Sequence, residues 1–306
     1  MELTHELQEV LLFLERQHGV ICDERLTLGN VVSTVFRATQ GVQRLVVKIG
    51  LTEFALREVE KNIAGYDEMR AIGAQELLPN PLITTISYEG IPLILMEDCG
   101  LDFWHATQVA EHPVMLYEYL IGHMRGIYER TRRAAVDRQY LEPLRLRLLE
   151  QYRVHLLTLI NEELIERLEK LKSETVAIST VCFSSFDFTP EDVFVTERGV
   201  KYLDPLPGIL GMPAIDLACF AGVARDVYDL PGANEGYDFI YKFVESELPI
   251  LLDCGVANAR QHFLFGRALQ CALSARFRME HERERAALLA KQSETFLSQF
   301  LVELTG

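Results

Sequence analysis

The chain has little positive charge and one tryptophan. Against 45 Asp and Glu stand 30 Lys and Arg, a formal net charge of -15. That balance excludes a general nucleic-acid binder, because phosphate contacts need clustered Lys and Arg. It also sets the surface against anionic membranes. No uninterrupted apolar stretch is long enough to span a bilayer. The start, Met-Glu-Leu-Thr-His-Glu, lacks the basic region and apolar core of a signal peptide, so a cytoplasmic protein is expected. The six cysteines include no C-x-x-C pair and sit mostly in apolar company, as in Val181-Cys182-Phe183. Buried reduced thiols are expected. His105, His112, His123, His155, His262 and His281 have no i, i+4 partner, which leaves zinc chemistry unsupported. Ser184-Ser185 lies outside any G-x-S-x-G turn, so an acyl-transfer nucleophile is unsupported too. There is no internal repeat and no low-complexity tract.

What remains is a chain of 306 residues, 49% hydrophobic and 25% charged, an ordinary globular balance. Leu7, Val10, Leu11 and Leu14 recur at helical spacing and predict an amphipathic helix over 3–18. Strand-like segments follow at 25–28, 31–39 and 44–49, then a helix over 54–72 ended by Gly73. Two more strands, 82–88 and 92–96, complete a compact α+β lobe over 1–97. From residue 98 to 306 the pattern is mostly helical, with helices expected at 114–134, 139–172, 215–229, 235–250, 257–279 and 280–302. The charged face of the second of these reads as solvated. A small sheet-rich lobe followed by a larger helical lobe predicts a cleft between them, where ligands usually bind.

Three aspartates interrupt the helical half. Asp187 and Asp192 lie in Ser185-Phe186-Asp187-Phe188-Thr189-Pro190-Glu191-Asp192, and Asp204 in Tyr202-Leu203-Asp204-Pro205. Between them, Val193-Phe194-Val195 and Val200-Lys201-Tyr202-Leu203 flank the turn Glu197-Arg198-Gly199, a hairpin signature. Such a segment delivers carboxylates to one end of a small sheet. Phosphoryl transfer needs that kind of cluster, one carboxylate for the attacking hydroxyl and others for magnesium on the phosphates. In the first lobe, Leu28-Gly29-Asn30-Val31-Val32-Ser33 holds a glycine-containing turn between two strands whose backbone amides could approach a phosphate, although a plain hairpin turn gives the same pattern. Lys48 stands among apolar strand residues. Lysine is rarely buried unless paired, and either Glu58 or Glu60 in the next helix is the candidate partner. The two point about 200° apart, so only one can face the lysine, and Glu58 is favoured. Met96-Glu97-Asp98-Cys99-Gly100 reads as a connector between lobes whose free backbone groups could hydrogen-bond a flat base. An acidic loop with no ligand is the plainer alternative.

In order, Val-Val-Lys, Met-Glu-Asp-Cys-Gly, Phe-Asp-Phe-Thr-Pro-Glu-Asp, Leu-Asp-Pro and Gly-Met-Pro-Ala-Ile-Asp-Leu-Ala resemble the landmarks of protein-kinase-like small-molecule kinases. The resemblance is to the aminoglycoside phosphotransferase and choline kinase-like superfamily, and it covers roughly residues 28–218. It implies a bilobal protein-kinase-like fold, ATP and Mg2+ as cofactors, and a small-molecule hydroxyl acceptor such as an amino sugar or aminoalcohol. It also implies Asp187 as catalytic base, and Asp192 and Asp204 as metal ligands. Lys48 would hold the α- and β-phosphates. The backbones of Glu97 and Cys99 would contact adenine, with Met96 behind it, and Asp216 would brace the catalytic loop by capping its amides. The sequence departs from the family pattern where Ser185 and Phe186 replace histidine and glycine, and where Asp192 replaces asparagine. These departures raise a second reading, a pseudokinase-like scaffold that binds nucleotide and serves a protein partner.

Overall fold

The computed structural model describes residues 4–26, 33–79, 84–135, 140–171, 180–185, 188–208 and 210–304. The chain forms two compact units, Met1–Gly100 with Thr196–Ile209 and Leu101–Val195 with Leu210–Gly306.

The first unit opens on α1 (His5–His18). The Thr4 hydroxyl caps it by accepting from the Leu7 N–H, and Gly19 stops it in the left-handed conformation. Leu7, Val10 and Leu14 bury with one face of a five-stranded antiparallel sheet. Its strands are β1 (Val20–Leu26), β2 (Thr34–Gln40), β3 (Gln43–Ile49), β4 (Thr84–Tyr88) and β5 (Ile91–Glu97), in the order β1-β2-β3-β5-β4. Side chains alternate along β3: Leu45, Val47 and Ile49 enter the cluster with α1, which leaves Val46 and Lys48 on the other face. On β5, Met96 stands opposite Val46 and Ile94 opposite Lys48. The long helix α2 (Glu53–Ile72) packs on β3 and β5. Thr52 caps its start and left-handed Gly73 ends it, where the sequence placed the stop.

The second unit is mainly helical. In chain order its elements begin α3 (Phe103–Val109), α4 (Val114–Thr131), β6 (Arg133–Ala134), α5 (Glu142–Glu150) and α6 (Glu162–Lys170). Then come β7 (Thr180–Phe183) and β8 (Val193–Thr196), whose hairpin partner around Gly199, as expected, is β9 (Gly199–Tyr202), a strand of the first unit. The chain ends with β10 (Leu210–Gly211), α7 (Pro213–Gly222), α8 (Ala233–Ser246), α9 (Leu248–Leu251), α10 (Val256–Arg278) and α11 (Arg283–Glu303). Along most of its length α10 is buried, and it packs against α7 and α11.

Three helical expectations need correction. The helix expected over 235–250 is two, α8 and α9, parted at Glu247. The helix expected over 139–172 is two helices, α5 and α6, separated by a π turn at Gln151–His155 and a bend. Asn161 restarts the helix, its side chain accepting from the Glu163 N–H at 2.9 Å. The helix expected over 215–229 ends at Gly222 and passes into a second π turn, Val223–Val227. All six cysteines are free thiols, with Cys182, Cys219 and Cys271 buried and the other three half-buried. Among the described residues, no helix is long and apolar enough to cross a membrane.

Candidate functional site

In the first unit, Lys48 is the centre of a polar cluster. Its Nζ lies 2.9 Å from Glu58 Oε1, 2.9 Å from Asn62 Oδ1 and 2.9 Å from Asp204 Oδ1. The lysine side chain is 5% exposed, against 28% for Glu58 and 46% for Asp204. Burial opposes the ammonium, but the charge of Asp204, its hydrogen bond, and then Glu58 outweigh that and hold the Lys48 pKa above its ordinary value. Of the two glutamates considered, Glu58 is the one paired with the lysine.

Sequence reading missed the rest of this cluster. Asn62 follows Glu58 by one helical turn and is 1% exposed. Its Nδ2 donates to the Pro205 carbonyl at 3.4 Å. Three residues further along the same face, Gly65 meets that carbonyl so closely that a Cβ there would lie 2.3 Å from the oxygen. Tyr66 is buried beside Asp204, and burial, then the Asp204 charge, push its phenol well up. Asp204 adopts a left-handed φ of 57°, a conformation that costs a non-glycine residue and needs its surroundings to hold it. The i, i+4 spacing of Glu58 and Asn62 was the available signal, but a lone asparagine in a helix carries no chemistry of its own.

Around this cluster, Met96 is buried two register pairs from Lys48 on the same sheet face. The Glu97 carbonyl takes a long contact from the Cys99 thiol, 3.7 Å. Burial and then the Glu97 charge push that thiol up to about 12. Ser33 precedes β2 and is buried, its hydroxyl without a hydrogen-bond partner among the described residues. Gly29 lies outside the described residues.

In the second unit, Asp187 and Phe186 also lie outside the described residues, but both flanks are defined. On one side, the Ser185 N–H donates to Asp216 Oδ2 at 2.7 Å and the Ser184 hydroxyl to Oδ1 at 3.0 Å. Asp216 is buried in the first turn of α7. On the other side, the Thr189 hydroxyl donates to Asp192 Oδ2 at 2.7 Å, and the Trp104 N–H to the Pro190 carbonyl at 3.3 Å. Tyr228 donates its hydroxyl to Glu191 and stacks on Trp104 with ring centroids 5.5 Å apart. Among the described residues no group of three or more His, Cys, Asp and Glu side chains converges as a ready metal site.

No protein-family model matches the chain, and no curated protein matches it by sequence. Solved structures do. A candidate aminoglycoside phosphotransferase from Ralstonia eutropha JMP134 superposes with a TM-score of 0.56 at 12% identity, over 97% of this chain and 98% of that one. Aminoglycoside phosphotransferase APH(4)-Ia gives 0.56 at 13% identity, over 95% and 98%. A candidate fructosamine-3-kinase from Haemophilus somnus 129PT gives 0.55 at 11%, over 94% and 96%. The fold is that of the protein-kinase-like small-molecule kinases. One APH(4)-Ia structure holds AMP-PNP and hygromycin B, and it matches with a TM-score of 0.53 at 12% identity, over 95% of this chain and 98% of that one.

Within this fold the chain brings together Lys48, Glu58 and Asp204, and it ties Asp216 to the amide of Ser185. Ser185 stands where the pattern has histidine, yet its backbone keeps a fixed acceptor. Asp192 stands where the pattern has asparagine, with one carboxylate oxygen engaged by Thr189.

Proposed function

We propose that the chain is an ATP-dependent phosphotransferase that moves the γ-phosphoryl group to a hydroxyl of a small molecule, amino sugars and aminoalcohols being the first class to try. The observation that carries this reading is the Lys48 cluster: a buried ammonium held by one carboxylate on α2 and one on the loop after β9. The residues fit a metal-bound nucleotide. Lys48 is a fixed cation for phosphate oxygens, the half-exposed Asp204 carboxylate is a hard-oxygen ligand for magnesium, and the Ser33 hydroxyl, unpartnered among the described residues, is a free donor just before β2. When bound, magnesium nucleotide supplies the phosphoryl group and neutralises its charge.

In this reading residues 1–97 carry the nucleotide side. Lys48 holds the phosphates, Glu58 fixes Lys48, and the loop at Gly29 and Ser33 offers backbone and hydroxyl donors. The backbones of Glu97 and Cys99 meet the base in front of Met96. Residues 98–306 carry the acceptor side, where Asp187 takes the proton of the attacking hydroxyl. Asp192 and Asp204 hold the metal. Asp216 braces the loop through Ser185.

Incubation with Mg-ATP and a panel of amino sugars, choline-like alcohols and nucleosides tests the reading. Mass spectrometry of the products is expected to show an acceptor gaining a phosphoryl group, and Asp187→Asn to remove that product while leaving nucleotide binding intact. A second reading, a nucleotide-binding scaffold with a protein partner, draws on one observation: all three ammonium protons of Lys48 are taken by protein oxygens. Nucleotide binding without transfer to any acceptor supports the scaffold.

A further inference from the structure

Lysine has three protons to donate, and Lys48 spends them on Glu58, Asn62 and Asp204 at the same 2.9 Å. Two of these acceptors sit one turn apart on α2. The third is on a loop that Asn62 also grips, through the Pro205 carbonyl. Asn62 therefore uses both ends of one carboxamide: its oxygen accepts from the cation, and its nitrogen donates to the residue after Asp204. At 1% exposure, water does not compete for either bond. Gly65, on the same face of α2, lets the Pro205 carbonyl come within reach of the helix.

We propose that Asn62 is a positioning residue that sets the spacing of Lys48 from the Asp204–Pro205 loop, and through it the affinity of the site for magnesium in the presence of nucleotide. This rests on the phosphotransferase reading above. The chemical logic follows from which partner is free to leave. A phosphate oxygen can reach the ammonium only where one protein acceptor is released. Glu58 and Asn62 share a helix whose packing holds them, whereas Asp204 is the most exposed of the charged partners and the one suited to a metal. Asn62 keeps the loop in place as Asp204 exchanges the ammonium for a cation. Without Asn62, the left-handed Asp204 loses a neighbour that holds its loop.

The test is a magnesium titration, read by the melting temperature at fixed ATP, on wild type, Asn62→Leu and Asn62→Asp. Leucine removes both bonds at similar volume. Aspartate keeps an acceptor for Lys48 and loses the donor to Pro205. Hydrogen bonds to charged groups are worth roughly 1.5–3 kcal/mol, so the magnesium midpoint should rise on the order of ten-fold or more in Asn62→Leu. A smaller rise is expected in Asn62→Asp. A residue that merely supports the fold lowers the ligand-free melting temperature and leaves the midpoint where it is. Midpoints within about two-fold of wild type in whichever variants fold, under the same hydrogen-bond estimate, overturn the proposal while leaving the nucleotide reading intact. A wild-type protein that gives no ATP response at any magnesium concentration overturns both.

Discussion

At Lys48 burial and charge pull in opposite directions, and charge prevails. The sign of the consequence follows from linkage. A lysine whose pKa is raised by folding contributes stability that is fully present below the unfolded value. It loses that contribution only as pH rises through the still higher folded value. Lys48 is therefore a permanent cation around neutral pH. His262 behaves in the opposite sense. Burial in α10 pushes it down to about 4 from 6.5, and its Nε2 has no hydrogen-bond partner among the described residues. The unfolded chain then binds the extra proton first, so stability falls as pH drops from 6.5 towards 4, by about 3 kcal/mol. Urea unfolding at pH 7 and at pH 5 checks this: the loss is expected in wild type and should shrink in His262→Leu. An equal loss in both would assign the acid sensitivity to other groups.

At the scale of elements, α2 is the organising piece. One face buries Val59, Met69 and Ile72, and the turn-by-turn series Glu58, Asn62, Gly65, Tyr66 meets Lys48 and the 204–205 loop. Gly65→Ala places a methyl group against the Pro205 carbonyl. Overpacking of this kind costs about 1–3 kcal/mol, and the loop that moves is the one that carries Asp204. A lower melting temperature together with a weaker Mg-ATP response is expected. An unchanged response would show that the close approach does not matter to the site. The sequence made the end of α2 legible because Gly73 marks the stop, which the structure places in the left-handed conformation. It hid the break between α5 and α6, because Tyr152, Leu156 and Ile160 stay buried through the bend, so hydrophobic spacing continues where the helix does not. The first strand begins at Val20, earlier than the expected 25–28, because Cys22-Asp23-Glu24-Arg25 is polar and largely solvent-facing and carries no apolar alternation.

For the whole molecule, the sheet–helix–sheet order was enough for an α+β lobe ahead of a helical one, and the kinase-like architecture came from the resemblance carried by the Val-Val-Lys, Phe-Asp-Phe-Thr-Pro-Glu-Asp and Leu-Asp-Pro motifs. Lys48 and Glu58 were legible because a charged residue within an apolar strand must find a counter-charge, and Asp204 through the loop after the hairpin and the resemblance. Asn62, Tyr66 and Pro205 were not, since their roles exist only once α2 and the 204–205 loop are brought together. The central claim is that this cluster receives a metal-bound nucleotide, and calorimetric titration of Mg-ATP into wild type and Lys48→Met tests it most directly. Loss of contacts to a charged group predicts an affinity about 10–100-fold weaker in the variant. Equal affinities, or no heat of binding in the wild type, would contradict it.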